Sequence, residues 1–183
     1  MFFSSSVVAD DISDFQIDGM SIGDSLLDFY SFSEIQSWQK EYYGKSDTFV
    51  MIYSELLSDN KFSQYIFHTK NNDSNYIIYS IRGSKFFENN IKECKQFKEK
   101  IIIDVEHLFS NQERKNYEFT YDYIEDGNSI AYINDFILDG GAAVRIYCID
   151  WSEITEKKRN YVDNFSIDVS SQEFLFWLSN KAN

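Results

Sequence analysis

The residue types that could do chemistry are unevenly supplied in this chain, which has thirty acidic residues but only two histidines and two cysteines. His68 and His107 are far apart, and neither has a cysteine near it at the spacing of a zinc site. On a predicted strand His68 alternates with Gln64 and Lys70, which indicates a solvent-facing side chain. His107 lies near the edge of a helical apolar stripe. The sequence therefore predicts no zinc site.

A calcium-binding loop is suggested by Asp122, Asp126 and Gly127, which match three positions of an EF-hand. The pattern fails elsewhere, because Ile124 replaces the second acid and Ile133 replaces the bidentate glutamate. A hairpin turn at Asp126-Gly127 explains these residues more simply. Glycine-rich phosphate loops and serine nucleophile motifs do not occur in the sequence, and we predict no metal and no cofactor.

Among the carboxylates, Asp150 is the candidate for acid–base chemistry. Alternation from Val144, Ile146 and Cys148 places Asp150 on the apolar face of a strand, beside Trp151. Burial there would raise the pKa of the carboxyl group. The alternative, which we favour, is that the strand has ended and Asp150 caps the following turn.

The two cysteines are expected to approach each other. Cys94 lies in the middle of a helical apolar stripe, and Cys148 lies on the inward face of its strand. An apolar helix stripe and an apolar strand face in a two-layer domain must meet in the same core. The pair forms either a disulfide or two separate buried thiols, and the sequence leaves both open.

The elements that position these residues follow from periodicity and capping. Ser21 with Asp24, and Ser31 with Glu34, open two short helices or one kinked helix over residues 22–42. A helix is predicted over residues 91–109, and a terminal helix opens with Ser170 and Glu173. Strands are predicted over residues 48–55, 62–70, 75–83, 117–123, 129–138, 143–151 and 161–169, with a charged excursion at 152–160. This order predicts a two-layer α+β domain with a mainly antiparallel sheet and helices packed on one face.

Composition excludes several classes of partner. The net charge is −13, and the pI is near 4.5. Such an acidic surface disfavours nucleic acid and anionic membranes, and no apolar run is long enough to insert into a membrane. Aromatic residues make up 18% of the chain, and several could line a ligand groove, although packing in the core and at sheet edges is the simpler interpretation. These candidates are Trp38, Tyr42, Tyr43, Tyr121 and Tyr123.

The N-terminus resembles the end of a secretory signal. Val7 and Ala9 have the small-residue spacing that signal peptidase recognises, and the chain turns acidic directly afterwards. We therefore interpret residues 1–9 as a signal-peptide remnant, residues 10–20 as an acidic mobile lead-in, and residues 21–183 as a single domain. The expected location is the bacterial periplasm or the exterior.

A family resemblance supports export. The segment from Asp10 to Asp28, the stretch from Tyr76 to Phe109 and the segment Cys148-Ile-Asp-Trp151 resemble a family of small exported proteins of marine bacteria with no assigned activity. The Met20–Asp24 segment is similar to the first helix of domains related to the β-lactamase inhibitor protein and to small outer-membrane assembly lipoproteins. Those domains pack helix–strand repeats on an antiparallel sheet.

These observations favour a non-enzymatic exported domain that binds something, most simply another protein, across its sheet or sheet edge. One alternative is a small hydrolase whose carboxylates are distant in sequence. Another is an intracellular acidic inhibitor of the immunity type, if residues 1–9 are not a signal remnant. A cleft with convergent buried carboxylates would favour the enzyme, and an exposed apolar patch would favour the binding domain.

Overall fold

The structure is a computed structural model that describes residues 11–44, 46–57 and 61–182. The predicted signal-peptide remnant therefore lies outside the described residues. Among the described helices, none is both long and apolar enough to cross a membrane.

A single eight-stranded sheet organises the fold, and every neighbouring pair of strands is antiparallel. The predicted α+β class is confirmed. The strands lie in the order β1-β2-β3-β4-β8-β7-β6-β5. Their bounds are β1 Gln39–Tyr43, β2 Ser46–Tyr53, β3 Gln64–Lys70, β4 Ser80–Phe86, β5 Glu113–Thr120, β6 Ile130–Ile137, β7 Ala143–Asp150 and β8 Asn164–Ser170.

Four α-helices and two short 3₁₀ turns accompany the sheet in the described residues. The helices are α1 Phe32–Ser37, α2 Ile91–Leu108, α3 Glu153–Arg159 and α4 Gln172–Lys181, and the turns are Ile12–Asp14 and Leu26–Asp28. The Ser31–Glu34 capping box is confirmed. The prediction of helix up to residue 42 is wrong, because α1 ends at Ser37 and the chain continues as β1. The charged excursion is α3, which Ser152 caps.

The sheet consists of two consecutive four-stranded meanders that meet where β4 pairs with β8. In this central pair Arg82 lies opposite Asp168, flanked by two facing serine pairs. The hydroxyls of Ser80 and Ser170 are 2.7 Å apart, and those of Ser84 and Ser166 are 2.9 Å apart. The segments 80–84 and 166–170 share the pattern Ser-Ile-x-x-Ser, so the two halves meet at matching positions.

The main core lies on one side of the sheet, which we call the α2 face. Helix α2 packs on β7 and β8 there, while residues 12–38 contribute further buried side chains to the same core. The expected mobile lead-in is wrong for its described part, because Ile12, Phe15, Ile17 and Met20 are all buried. Its acids lie at the surface instead: Asp11 caps a 3₁₀ turn through the backbone N–H of Ser13.

The opposite side, the α4 face, carries a second and smaller core. Phe49 alternates with Val50 along β2, so it points away from the main core. Its ring lies 5.3 Å from that of Phe174 and 4.9 Å from that of Trp177, both on α4. Helices therefore cover parts of both faces of the sheet, whereas the sequence predicted helices on one face.

Candidate functional site

A cleft of about 570 Å³ lies between α4 and the α4 face of the sheet. Ser171 caps α4, and its backbone N–H donates to the carbonyl of Tyr79, which fixes the start of the helix against the sheet. One wall is formed by Phe174, Leu175 and Leu178 of the helix. The floor is the sheet, with residues Met51, His68, Ser80, Arg82, Asp135, Ile137, Ala143, Arg145, Asp168 and Ser170.

A row of alternating charges crosses this floor. Strand register places Asp135, Arg145, Asp168 and Arg82 opposite one another on four adjacent strands. Arg82 donates to both carboxylate oxygens of Asp168, at 2.6 and 2.8 Å. Arg145 donates to those of Asp135, at 2.7 and 2.9 Å. Both pairs are bidentate, the strongest arrangement for such groups, so each carboxylate is fixed in place by an arginine.

His68 lies in the cleft lining but has little contact with solvent. The residue is 5% exposed, and its ring lies 4.4 Å from the ring of Phe174. The prediction of a solvent-facing His68 is wrong, because α4 covers this part of β3. Burial, followed by the nearby charge of Arg82, lowers the pKa of His68 to about 3, so the imidazole is neutral. Neither ring nitrogen has a hydrogen-bond partner among the described residues.

A chain of aromatic rings lies beside the cleft, at the β5 side of the α4 face; we call it the aromatic surface. It consists of Phe119, Tyr121, Tyr123, Trp151 and Tyr161. Successive ring centroids are 4.7 to 6.0 Å apart, a range typical of favourable aromatic pairs. Tyr123 is 71% exposed, Phe119 42% and Tyr161 40%. Tyr121 and Trp151 are half-buried and pack on Ala131, Ile133, Tyr147 and Ile149.

The aromatic residues considered from sequence are not brought together as one groove. Trp38 lies in the main core, and Tyr43 packs against Trp177 under α4 at 4.7 Å. Tyr42 is exposed on β1, at the opposite edge of the sheet. Only Tyr121 and Tyr123 belong to the aromatic surface. Phe119, Trp151 and Tyr161 were not singled out, because each lies in or at the end of a different predicted strand and only the tertiary fold brings their rings to one surface.

Asp150 is the last residue of β7 and does not cap the next turn, because Ser152 caps α3. Its charge acts on Asp163, which is buried and 4% exposed. Burial, followed by the charges of Asp150 and Glu156, raises the pKa of Asp163 to about 6, although the Trp151 backbone N–H donates to it at 2.9 Å. The perturbed carboxyl is thus Asp163, which the sequence did not indicate.

We expect Asp163→Asn to stabilise the protein above pH 6. The wild-type carboxyl has an ordinary pKa of 3.8 when unfolded and about 6 when folded, so its contribution to stability is present at low pH and lost as the pH rises to 6. This difference corresponds to at most about 3 kcal/mol. Asparagine keeps an acceptor for the Trp151 N–H but never ionises. Urea unfolding at several pH values measures the effect.

The exposed variant Asp122→Asn serves as the control, with no pH-dependent gain expected. A stability difference between Asp163→Asn and wild type that is the same at pH 4 and pH 8 would contradict the assignment.

The remaining sequence candidates lie elsewhere. Cys94 and Cys148 form a disulfide that joins α2 to β7 on the α2 face, with a Cα–Cα distance of 6.1 Å. His107 is exposed on α2. The carboxylate of Asp126 accepts hydrogen bonds from the hydroxyl of Ser152 and from Asn128, which accounts for it as part of a turn. Within residues 11–44, 46–57 and 61–182, no group of three or more acidic, histidine or cysteine side chains could hold a metal ion.

No protein-family model, curated protein or solved structure matches this chain. The function must therefore be inferred from the α4 face itself, on which a neutralised charge row and an exposed aromatic surface lie side by side.

Proposed function

We propose that this protein is a non-enzymatic binding domain that recognises another protein through the aromatic surface. The observation that carries the proposal is the continuity of five contacting rings, three of them well exposed, on one face of a rigid sheet. Tyrosine and tryptophan supply large contact areas with little loss of side-chain freedom, and they dominate the energetics of protein interfaces. Contiguous exposed apolar surface in a folded domain commonly marks such an interface.

The charge of the chain suggests the character of the partner. A net charge of −13 accelerates association with a basic protein through long-range attraction. Close to the aromatic surface, Glu125 accepts ion pairs from Lys158 at 2.7 Å and from Arg159 at 3.1 Å, so its carboxylate already has cationic partners. We therefore expect the aromatic rings to provide most of the binding affinity. The electrostatic field of the whole protein would attract a basic partner.

The residues of the cleft give little support to the alternative that the protein is a hydrolase. Asp135 and Asp168 converge there, but each accepts two hydrogen bonds from an arginine. A general acid or base needs a carboxyl group that can exchange its proton with a substrate. Asp163 has a raised pKa, but it does not line the cleft. A binding domain accounts for the α4 face more economically.

Export to the periplasm or the exterior is part of the proposal. Disulfides persist in oxidising compartments, and Cys94–Cys148 fits such a location. The intracellular immunity-type inhibitor would use the same surface but would meet its partner in the cytoplasm. Cell fractionation of the full-length natural protein separates the two, because the exported form is recovered outside the cytoplasm.

The binding proposal is tested by site-specific photo-crosslinking in the cells that produce the protein. A photoreactive residue at position 123 is expected to form an adduct with a particular protein. The same residue at position 176, a phenylalanine on α4 that is 64% exposed, is the matched control and is expected not to form it. With the purified partner, Tyr123→Ala and Tyr161→Ala should each weaken binding at least tenfold. Identical adducts from both positions, or unchanged affinity, would contradict the proposal.

A further inference from the structure

Strand β5 is an outer strand of the sheet, and its whole length is accessible. It pairs with β6 from Glu113 to Thr120, and all eight of its residues are exposed. Its other edge has no strand beside it in the described sheet. An edge of this length presents backbone donors and acceptors that can pair with another strand. The side chains of β5 therefore determine which strand can pair with it.

The side chains of β5 divide between the two faces of the sheet. Arg114 contacts Glu106 of α2, which places it on the α2 face, together with Asn116 and Glu118. The hydroxyl of Tyr117 donates to Asp135, which places it on the α4 face, together with Lys115. Each face of the strand therefore carries charged or polar residues of its own.

Two-fold symmetry restricts how two copies of β5 can pair. An axis that relates two antiparallel strands must stand perpendicular to the sheet, so residues facing each other come from the same face. With the axis at Asn116, Arg114 of each copy lies opposite Glu118 of the other. On the α4 face, Lys115 then lies opposite Tyr117 of the other copy. Each dimer therefore contains two pairs of opposite charges and two pairs of a lysine with a tyrosine ring.

A neighbouring register is unfavourable. Moving the axis to Lys115 brings the two copies of that lysine opposite each other, and like charges directly across a strand pair are destabilising. The charges of β5 thus favour the register centred on Asn116, in which Arg114 lies opposite Glu118, over the register centred on Lys115.

The other edge of the sheet does not share this property. Strand β1 has five residues, and its pairing with β2 is irregular between Tyr42 and Tyr43, a feature that protects an edge. An axis at Lys40 or at Glu41 places a charge opposite itself. No two-fold antiparallel register can bring Lys40 opposite Glu41, because adjacent residues lie on opposite faces.

We propose that a second copy of this chain pairs antiparallel with β5 about a two-fold axis at Asn116, which extends the sheet across both copies. Because the axis keeps like faces on the same side, the two aromatic surfaces lie on one side of the dimer. The pairing does not depend on what the aromatic surface binds. Since a single strand pair forms the centre of the interface, we expect a weak and reversible dimer.

Charge exchange across the strand pair tests this arrangement. Sedimentation velocity of the purified protein from about 1 µM to about 1 mM is expected to show a monomer–dimer equilibrium. Arg114→Glu or Glu118→Arg brings like charges opposite each other at two places, and each should weaken the dimer at least tenfold. The double variant Arg114→Glu/Glu118→Arg restores opposite charges and should restore the dimer. Lys40→Glu on β1 is the control and should leave the dimer unchanged.

A crosslink locates the axis independently. Asn116→Cys should form an intermolecular disulfide under mild oxidation, whereas Glu113→Cys, which faces Phe119 of the other copy, should form much less. Thermal melting verifies that each variant is folded, and Glu118→Arg tests the same charge pair if Arg114→Glu fails to fold. A wild-type monomer across the whole concentration range, or a dimer that persists in both single variants, would overturn the proposal.

Discussion

Replacing both cysteines, Cys94→Ala/Cys148→Ala, is expected to lower the free energy of unfolding by about 4 kcal/mol. The bridge joins residues 54 positions apart, and closing a loop of that size removes conformational freedom mainly from the unfolded chain. Both side chains are fully buried between α2 and the sheet, so alanine also leaves a small packing defect. A loss of this size is a large share of the stability of an ordinary domain.

Guanidinium chloride unfolding of the variants measures this loss. Cys94→Ala alone should lose nearly as much stability as the double variant, because either replacement opens the loop. Mass spectrometry of non-reduced wild-type protein, refolded under oxidising conditions and alkylated in denaturant, gives an independent answer. Two alkylated cysteines would show that the bridge does not form, and a double variant as stable as wild type would contradict the expected loss of stability.

The local elements of the fold could be predicted because their signals lie close together in sequence. The apolar stripe of α2 predicts a helix over 91–109, and the structure has it over Ile91–Leu108, with Asn90 as its N-cap. Alternation in the strands likewise placed Cys148 on the inward face of β7, opposite a helix stripe that contains Cys94. Two apolar surfaces in one small domain are buried in the same core, so the contact between this helix and this strand could be predicted.

The α4 face could not be predicted, because its features depend on which strands become neighbours. Arg82 and Asp168 are 86 residues apart, and only the β4–β8 register brings them together. His68 has polar neighbours along its strand, which suggested exposure, yet a helix more than a hundred residues later covers it. Local alternation identifies the two faces of a strand, but it does not show what packs on the second face.

The N-terminal segment was misjudged for a different reason. Its many acidic residues suggested a solvated tail, but its apolar side chains are buried in the core. Ile12, Phe15, Ile17 and Met20 are spaced two or three residues apart, which matches neither a helix nor a regular strand. Turns and isolated bridges hold the backbone here, including the Ile17–Met20 bridge. Such irregular segments give no periodic signal even when they fill the core.

Phe15→Ala is accordingly expected to lower the free energy of unfolding by about 3 to 5 kcal/mol, the usual cost of removing a buried aromatic ring. Phe15 is 1% exposed, and its ring stacks on that of Phe109, with the centroids 5.6 Å apart. Phe109, which directly follows α2, also contacts Phe136 at 6.3 Å, so this ring connects the segment to β6. Removing the ring opens a cavity beneath the end of α2 that the neighbouring rings cannot close without moving.

Urea unfolding of Phe15→Ala measures this cost, with the exposed variant Asp14→Ala as the matched control one residue away. The control should change stability by less than about 0.5 kcal/mol. Deleting residues 1–11, which ends before the first buried side chain of the described segment, should leave the melting temperature nearly unchanged. Extending the deletion through residue 20 removes four core side chains and should prevent stable folding. If Phe15→Ala were as stable as Asp14→Ala, residues 11–20 would be the mobile lead-in that their acidity suggested.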